Sequence, residues 1–205
     1  MVLPGDDIDA QLDLTERAFG NKSAAERDQW RQAVAGIIAE RRCLGAFIGD
    51  RLAGGAWFHD MRQWWCGRPV PMAGVSSVRV APEDRGRGIG RLLMTALLDE
   101  IAAHGYPLSV LYPATMPLYR SLGWELAGSR YTAVIPARSL FGLEPSDPAL
   151  ADRDGSGRPA IRRAGPDDVE AVLAVIGQVH EAARDSGPIT WDTVTVRRWL
   201  ADTDI

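Results

Sequence analysis

The chain has 205 residues, of which 46% are hydrophobic and 24% charged, values typical of a folded domain with a substantial core. Its net charge of −4 disfavours nucleic acid as a main partner, because no basic stripe outweighs the acidic residues. The first fifteen residues are too acidic for a secretory signal, and no apolar run reaches membrane-spanning length. Cys43 and Cys66 fit neither a metal site nor a disulfide framework. We therefore expect a cytoplasmic protein with no metal and no membrane partner.

Helices and strands alternate in the first half of the chain. Helices are predicted over residues 6–19 and over 23–39, the second beginning with a Ser-x-x-Glu capping box. Two apolar runs, 44–48 and 52–58, flank a Gly-Asp-Arg turn and predict a hairpin.

The middle of the chain predicts a βαβ unit. A strand over 71–80 precedes an amphipathic helix over 88–104, whose apolar residues recur at three- and four-residue steps. A strand over 108–112 follows, and this order favours parallel pairing. A short helix over 115–122 and a last strand over 131–135 complete the first domain.

The last third of the chain changes character. Residues 142–159 are turn-rich and polar and predict a linker between a first domain, 1–141, and a second segment, 160–205. That segment is expected to hold a short strand at its start, a helix over 166–185 and a helix over 194–200, with no further strand. Such a segment is too small for a core of its own. It either packs on the first domain or begins a second, incomplete lobe.

The most informative segment is 78–91, where a glycine-rich loop with two arginines joins a strand end to a helix start. The first N–H groups of a helix lack partners and carry the positive end of its dipole. Glycines let a ligand approach the backbone, and arginines add charge. The segment is therefore suited to a pyrophosphate. The alternative is a glycine-rich turn with solvated arginines.

The glycine spacing excludes two nucleotide loops. A Walker loop ends in Gly-Lys-Ser/Thr, which is missing here. A dinucleotide fingerprint needs Gly-x-Gly-x-x-Gly, whereas these glycines are Gly86, Gly88 and Gly90. The order Arg-x-x-Gly-x-Gly, from Arg85 to Gly90, instead resembles the coenzyme A loop of the GNAT (GCN5-related) N-acetyltransferases.

A second motif surrounds Tyr119 and resembles the Leu-Tyr-x-x-x-Gly-Phe/Trp pattern of the same enzymes, in which the tyrosine often reaches the coenzyme sulfur. Attack of an amine on a thioester expels a thiolate, and a phenol with a pKa near 10 can protonate it. The alternative is a core tyrosine beside Leu118 and Leu122.

These two motifs, Gly-Tyr-Pro at 105–107, the Pro-rich linker and a GNAT-like start at Ile161 together resemble the Eis (enhanced intracellular survival) family over essentially the whole chain. The resemblance implies an α/β (α+β) GNAT acyl-CoA N-acyltransferase fold, a mixed central sheet flanked by helices, followed by the start of a second GNAT-like lobe. It implies acetyl-CoA as cosubstrate, a small-molecule amine acceptor of the aminoglycoside, polyamine or lysine kind, and a homohexamer.

The family's functional residues can be carried over one by one. The general acid falls on Tyr119, and coenzyme contacts fall on Val78, Arg79, Val80, Arg85, Gly86, Arg87, Gly88, Ile89, Gly90, Arg91, Ala114 and Thr115. The family often has Ser at the position of Ala114, so any hydroxyl contribution there is lost. Its general base is the carboxyl terminus of a longer chain, and we expect that base outside these 205 residues.

Cationic amine acceptors favour carboxylates and aromatic walls. The candidates are Trp57, His59, Asp60, Trp64, Trp65, Asp28 and Trp30, although tryptophans at this density also suit a core or an interface. The histidines, including His104 and His180, are expected to be structural or surface groups. The other interpretations are a self-contained GNAT enzyme and a coenzyme-binding lobe without catalysis.

Overall fold

The computed structural model describes residues 1–128, 134–140 and 162–201. Its elements, in chain order, are β1 (Val2–Pro4), α1 (Ile8–Phe19), α2 (Ala24–Ala39), β2 (Cys43–Ile48), β3 (Arg51–Trp65), β4 (Arg68–Val80), α3 (Ile89–Ala103), β5 (Leu108–Val110), α4 (Met116–Arg120), α5 (Val169–Ala183), β6 (Ile189–Trp191) and α6 (Thr193–Ala201). Short 3₁₀ turns lie at Pro82–Asp84, Ala137–Leu140 and Pro166–Asp168.

The described strands form one mixed sheet in the order β1-β2-β3-β4-β5, and β6 pairs with β3 beside that path. The β4–β5 pair is parallel and is joined by α3, which confirms the predicted βαβ unit. The other pairs are antiparallel. The predicted mixed sheet flanked by helices is confirmed.

The first two helices begin where their capping residues stand. The Asp7 carboxylate accepts hydrogen bonds from the N–H groups of Asp9 and Ala10 at the start of α1. Ser23 and Glu26 bond each other's backbone N–H groups, so the predicted capping box of α2 is present. These bonds satisfy donors that a helix start otherwise leaves free.

Alternation along β3 sends neighbouring side chains to two cores. Phe58 packs with Leu93, Met94 and Leu97 of α3, which covers one face of the sheet. Trp57, the preceding residue, packs against α2 on the other face. The sheet therefore separates α3 from α1 and α2. One face of β4 lies toward α3 and the other lies toward α1 and α2.

The β3–β4 hairpin is longer than predicted. The strand expected to end at residue 58 continues to Trp65, and the strand expected from residue 71 begins at Arg68. Cys66 and Gly67 form the turn with φ of 49° and 79°, as a two-residue type I′ turn requires. Cys-Gly is a weaker hairpin signal than Asn-Gly, and the prolines at 69 and 71 mask the strand, so the sequence prediction stopped short.

The second segment packs on this extended hairpin through a strand that we did not predict. β6 pairs with Met61, Arg62 and Gln63, and Trp64 donates a hydrogen bond from Nε1 to Thr190 Oγ1 over 3.3 Å. The expectation of no strand after the helix over 166–185 is therefore wrong. Four apolar side chains of α5 and α6 stay exposed: Val175, Val179, Val194 and Trp199. The division into two lobes remains a prediction.

Two predicted strands fall largely outside the described residues. One is the strand expected at 160–161. The other is the strand over 131–135, of which only Val134 and Ile135 are described, as exposed residues without strand pairing.

His59 joins the hairpin to the second segment and makes the stability of this contact pH-dependent. Its ring stacks edge-on against Trp191 at 5.4 Å, and burial lowers its pKa to about 4 beside Arg42, Arg198 and Asp192. Below pH 6.5 His59 binds a proton in the unfolded chain, whereas in the folded chain it binds one only below about pH 4. Across this window the free energy of unfolding should fall by up to about 3 kcal/mol.

Urea unfolding at pH 7 and pH 4.5 measures this effect. His59→Gln should remove most of the loss, whereas His104→Gln, on a ring at the end of α3, should keep it. An unchanged loss in His59→Gln would show that other groups cause it.

Candidate active site

One edge of β4 lacks a strand partner where the sheet meets the glycine-rich loop. β5 pairs only with Met72, Ala73 and Gly74, and within the described residues no strand continues along 75–80 on that side. The register against β3 shifts between Gly55 and Trp57, and Ser77 in this bulge has φ 53°. An extended ligand with amide groups can pair with such an edge as a further strand would.

The loop that follows β4 is open to a ligand. Gly86 and Gly88 have φ of 77° and 79°, and nothing lies within 4 Å of where a Cβ would stand on either. Gly88 is the N-cap of α3, and no side chain bonds the first N–H groups of this 15-residue helix. The start of α3 therefore has uncapped N–H groups close to open space, as an anion site requires.

The two arginines of the loop and Arg91 in the first turn of α3 have different surroundings. Arg85 is exposed, and its guanidinium makes no ion pair or hydrogen bond with any described residue. Arg87 lies with Nη1 2.7 Å from Asp84 Oδ1. Arg91 donates to Ser121 Oγ over 2.8 Å and so ties α3 to the residues after α4. The guanidinium of Arg85 is therefore free to bind a phosphate. Arg87 could bind one only after its ion pair with Asp84 breaks. Arg91 makes a structural contact between α3 and Ser121.

Asp84 anchors the loop, and this residue is not among those predicted from the sequence. Its side chain is only 2% exposed, and Arg51 Nη1 lies 2.7 Å from Oδ2 while Arg87 contacts Oδ1. These arginines hold the pKa of the Asp84 carboxyl below its usual range. The neighbouring Glu83 pairs with Arg17 and Arg51 at the surface. An acidic pair directly before the loop was the available signal.

We expect Asp84→Asn to lower the melting temperature by several degrees, because Arg51 and Arg87 lose a buried counter-charge. Glu83→Gln is the matched control, since it removes an adjacent carboxylate at the exposed end of the same network. Thermal unfolding at neutral pH compares the two variants. Equal melting temperatures would rule out an anchoring role for Asp84.

Tyr119 lies beside the start of α3. Its side chain is buried, and its ring stacks edge-on against Trp124 at 6.1 Å. A Cβ on Gly90 would stand 3.7 Å from Leu118, so α4 and the coenzyme loop are neighbours. Burial raises the pKa of Tyr119, which keeps the phenol protonated at neutral pH. Ala114 and Thr115 lie exposed just before α4. The two predicted motifs are thus brought together.

The β4 residues of the predicted coenzyme set point in two directions. Val78 packs against the core under α3, as does Ile89, and Val80 lies near Gly90. Arg79 faces the opposite side and is buried. A ligand that pairs with the open edge as a strand would therefore contact the backbone of Arg79, whereas the side chain belongs to the opposite face of β4.

The predicted acceptor residues are spread along β3. Trp57 lies opposite Ser76 at the bulge and stacks edge-on with Trp30 at 5.8 Å. His59 and Trp64 contact the second segment instead, and Trp65 is exposed at the hairpin end. Of this set, Trp30 and Trp57 are the residues that lie near the open edge.

Two further candidates also have other contacts. Asp60 lies against Tyr106, whose pKa burial and this carboxylate raise to about 12. Asp28 pairs with Arg31 on the surface of α2. These contacts are with Tyr106 and Arg31, and neither of them places a carboxylate at the bulge of β4.

The family model described as "Acetyltransferase (GNAT) domain" matches residues 3–127, a range that holds the open edge, the loop and Tyr119. The chain belongs to the GNAT acetyltransferase family. Its GNAT fold is shared with a GCN5-related N-acetyltransferase from Kribbella flavida, with a TM-score of 0.85 and 37% identity over 100% of this chain and 51% of that one.

Two relatives in sequence are named N-acetyltransferases. An uncharacterized N-acetyltransferase of Streptomyces avermitilis is 31% identical over 204 residues, 95% of this chain and 46% of the relative. The N-acetyltransferase Eis of Mycobacterium tuberculosis is 34% identical over 112 residues, 53% of this chain and 27% of that protein. The chain thus spans about half the length of the Streptomyces and Kribbella proteins.

No described helix is long and apolar enough to cross a membrane. No group of three or more His, Cys, Asp or Glu side chains that could hold a metal occurs in the described ranges.

Proposed function

We propose that this chain is an Eis-type N-acetyltransferase lobe that transfers the acetyl group of acetyl-CoA to a primary amine. One observation carries the proposal. The open edge of β4 leads through the glycine-rich loop to the uncapped start of α3, and Tyr119 lies beside that helix start. When bound, acetyl-CoA supplies a thioester whose carbonyl carbon bonds to the amine nitrogen as its C–S bond breaks.

The residues present fit this coenzyme. The backbone of Val78, Arg79 and Val80 offers an unpaired strand edge to the amides of a pantetheine arm. The proposed pyrophosphate contacts run from Arg85 to Arg91, because the space beside Gly86 and Gly88 is open, no side chain caps α3, and the Arg85 guanidinium adds an unpaired charge. Ala114 and Thr115 complete the proposed set on the α4 side.

Tyr119 is the proposed general acid. Its buried phenol keeps its proton at neutral pH. No described residue forms a hydrogen bond with the Tyr119 hydroxyl. It can give that proton to the departing sulfur, which avoids release of a free thiolate. The amine must enter deprotonated, and the base that takes its proton is proposed to lie outside this chain, as in the Eis family.

The finer assignments rest on the partial match to Eis. We propose an acceptor of the aminoglycoside, polyamine or lysine kind, a cytoplasmic homohexamer, and a division into a catalytic domain, 1–141, a linker, 142–159, and the beginning of a second lobe, 160–205. The match to the Streptomyces relative supports the last point, because it runs through both segments.

Release of free coenzyme A from acetyl-CoA in the presence of a panel of primary amines tests the proposal. Arg85→Glu should raise the acetyl-CoA Kd by about tenfold or more, because it replaces an attractive charge at the pyrophosphate with a repulsive one. Arg27→Glu, on an exposed arginine of α2, is the control for net charge. Equal affinities in Arg85→Glu and the unmodified protein would refute the loop assignment.

A further inference from the structure

Arg79 is a buried cation without a carboxylate partner. Its side chain is 3% exposed on the face of β4 that points away from α3. Nη1 donates to the Ser77 carbonyl at 2.7 Å and to Ser77 Oγ at 3.1 Å, and Nη2 donates to the carbonyl and side-chain oxygens of Gln11. All these acceptors are neutral, and no described Asp or Glu pairs with the guanidinium.

Three buried N–H donors in this group have no acceptor. They are Arg79 Nε, Gln11 Nε2 and Trp57 Nε1. Arg79 links the three side chains, since its guanidinium donates to Gln11 and its guanidinium carbon lies 4.7 Å from the centroid of the Trp57 ring. Buried donors are nearly always paired in folded proteins, so a cluster of unpaired ones marks a place for an absent acceptor.

No neighbouring group among the described residues balances the charge. Burial lowers the pKa of Arg79 to about 10, so the guanidinium is still charged at neutral pH. The titratable neighbour is Cys43, and burial raises the pKa of its thiol to about 11, so it carries no negative charge. An unpaired buried charge is unfavourable, and an anionic group from outside would relieve it.

The cluster lies on the face of β4 that is opposite α3, and the coenzyme loop joins β4 to the start of α3. Arg79 comes two residues after Ser77, where the strand bulges beside its open edge. Trp30 of α2 stacks edge-on with Trp57 and is itself only half-buried, so a side chain in contact with the cluster reaches solvent. A molecule that reaches the open edge from the α1–α2 side would meet this cluster.

We propose that Arg79, Trp57 and Gln11 bind a carboxylate of the amine acceptor, so that the acceptor is an amino-acid-like molecule rather than a polycation. A carboxylate accepts several hydrogen bonds at once and neutralises the guanidinium. An aminoglycoside or a polyamine would instead bring further positive charges toward Arg79. This inference rests on the proposed acetyl transfer and narrows its acceptor class within it.

The test compares free L-amino acids with their carboxamides as acceptors, because each pair differs only in the negative charge. The unmodified chain should favour the acids by about tenfold or more in kcat/KM, as one charged hydrogen-bonding contact allows. Arg79→Gln should abolish this preference. Trp57→Phe keeps an aromatic ring and loses one donor, and it should raise KM for the acids several-fold more than KM for the carboxamides.

Arg42→Gln is the matched control. Arg42 is also a buried arginine, but Glu40 neutralises it, so this variant should lose stability and keep the preference for acids. A preference unchanged in both Arg79→Gln and Trp57→Phe would overturn the proposal, and so would equal turnover of acids and amides by the unmodified chain.

Binding without turnover separates this inference from the proposed function. N-acetyl-L-amino acids should raise the melting temperature of the unmodified chain and not that of Trp57→Phe or Arg79→Gln. That result without acetylation of any amine would reject the enzyme and retain the carboxylate site. A rise as large with acetate alone would identify a small-anion site and overturn the acceptor assignment.

Discussion

Tyr119→Phe should lower kcat by about 10²-fold or more, the range in which removal of a general acid falls. The substitution removes one oxygen from a ring that stacks on Trp124 and lies in the core under α3, so the fold should be kept. The leaving sulfur then departs without a proton donor. Because the loop and the β4 edge are untouched, the acetyl-CoA Kd should stay unchanged.

Tyr112→Phe is the control for this experiment. Tyr112 belongs to the same segment, but its side chain is 74% exposed and has no place in the proposed site. Steady-state kinetics with acetyl-CoA and an accepted amine, together with a coenzyme titration, separates kcat from binding. A Tyr119→Phe enzyme with full kcat would leave Tyr119 as a core residue, the alternative that its neighbours Leu118 and Leu122 also permit.

The coenzyme loop and its helix could be predicted because their signals are local. Glycines with positive φ, a helix that begins directly after them and a three- to four-residue apolar repeat all lie within 78–104. The capping box at Ser23 is local for the same reason. Each of these features depends on backbone geometry or on residues one helical turn apart.

The rest of the site depends on contacts between residues far apart in sequence. Asp84 is buried because Arg51 of β3 reaches it, and β6 exists because the outer half of β3 offers an edge to pair with. Neither partner can be identified from the periodicity of its own segment. Arg79 is the clearest example: the family resemblance assigns its backbone to the coenzyme, and its own segment does not indicate that the side chain turns toward Gln11 and Trp57.

Gly88→Ala should raise the acetyl-CoA Kd by about 10- to 100-fold. Gly88 caps α3 with φ 79°, and the space beside it is open. An added methyl group would stand where a pyrophosphate must approach the free N–H groups, and each charged hydrogen bond lost there is worth about 1.5–3 kcal/mol. The left-handed backbone also becomes strained by about 1–2 kcal/mol, which lowers stability.

Gly105→Ala separates strain from ligand contact, because Gly105 lies beyond the other end of α3 with φ 80° and equally open space. Both variants should therefore lose similar stability in urea unfolding, since each forces a Cβ into the same backbone conformation. Only Gly88→Ala should weaken coenzyme binding in a titration. If Gly105→Ala weakened binding as much, the loss would come from a loosened helix and not from the loop. Similar stability losses with a difference only in Kd would instead mean that the open space at the start of α3 is where the phosphates bind.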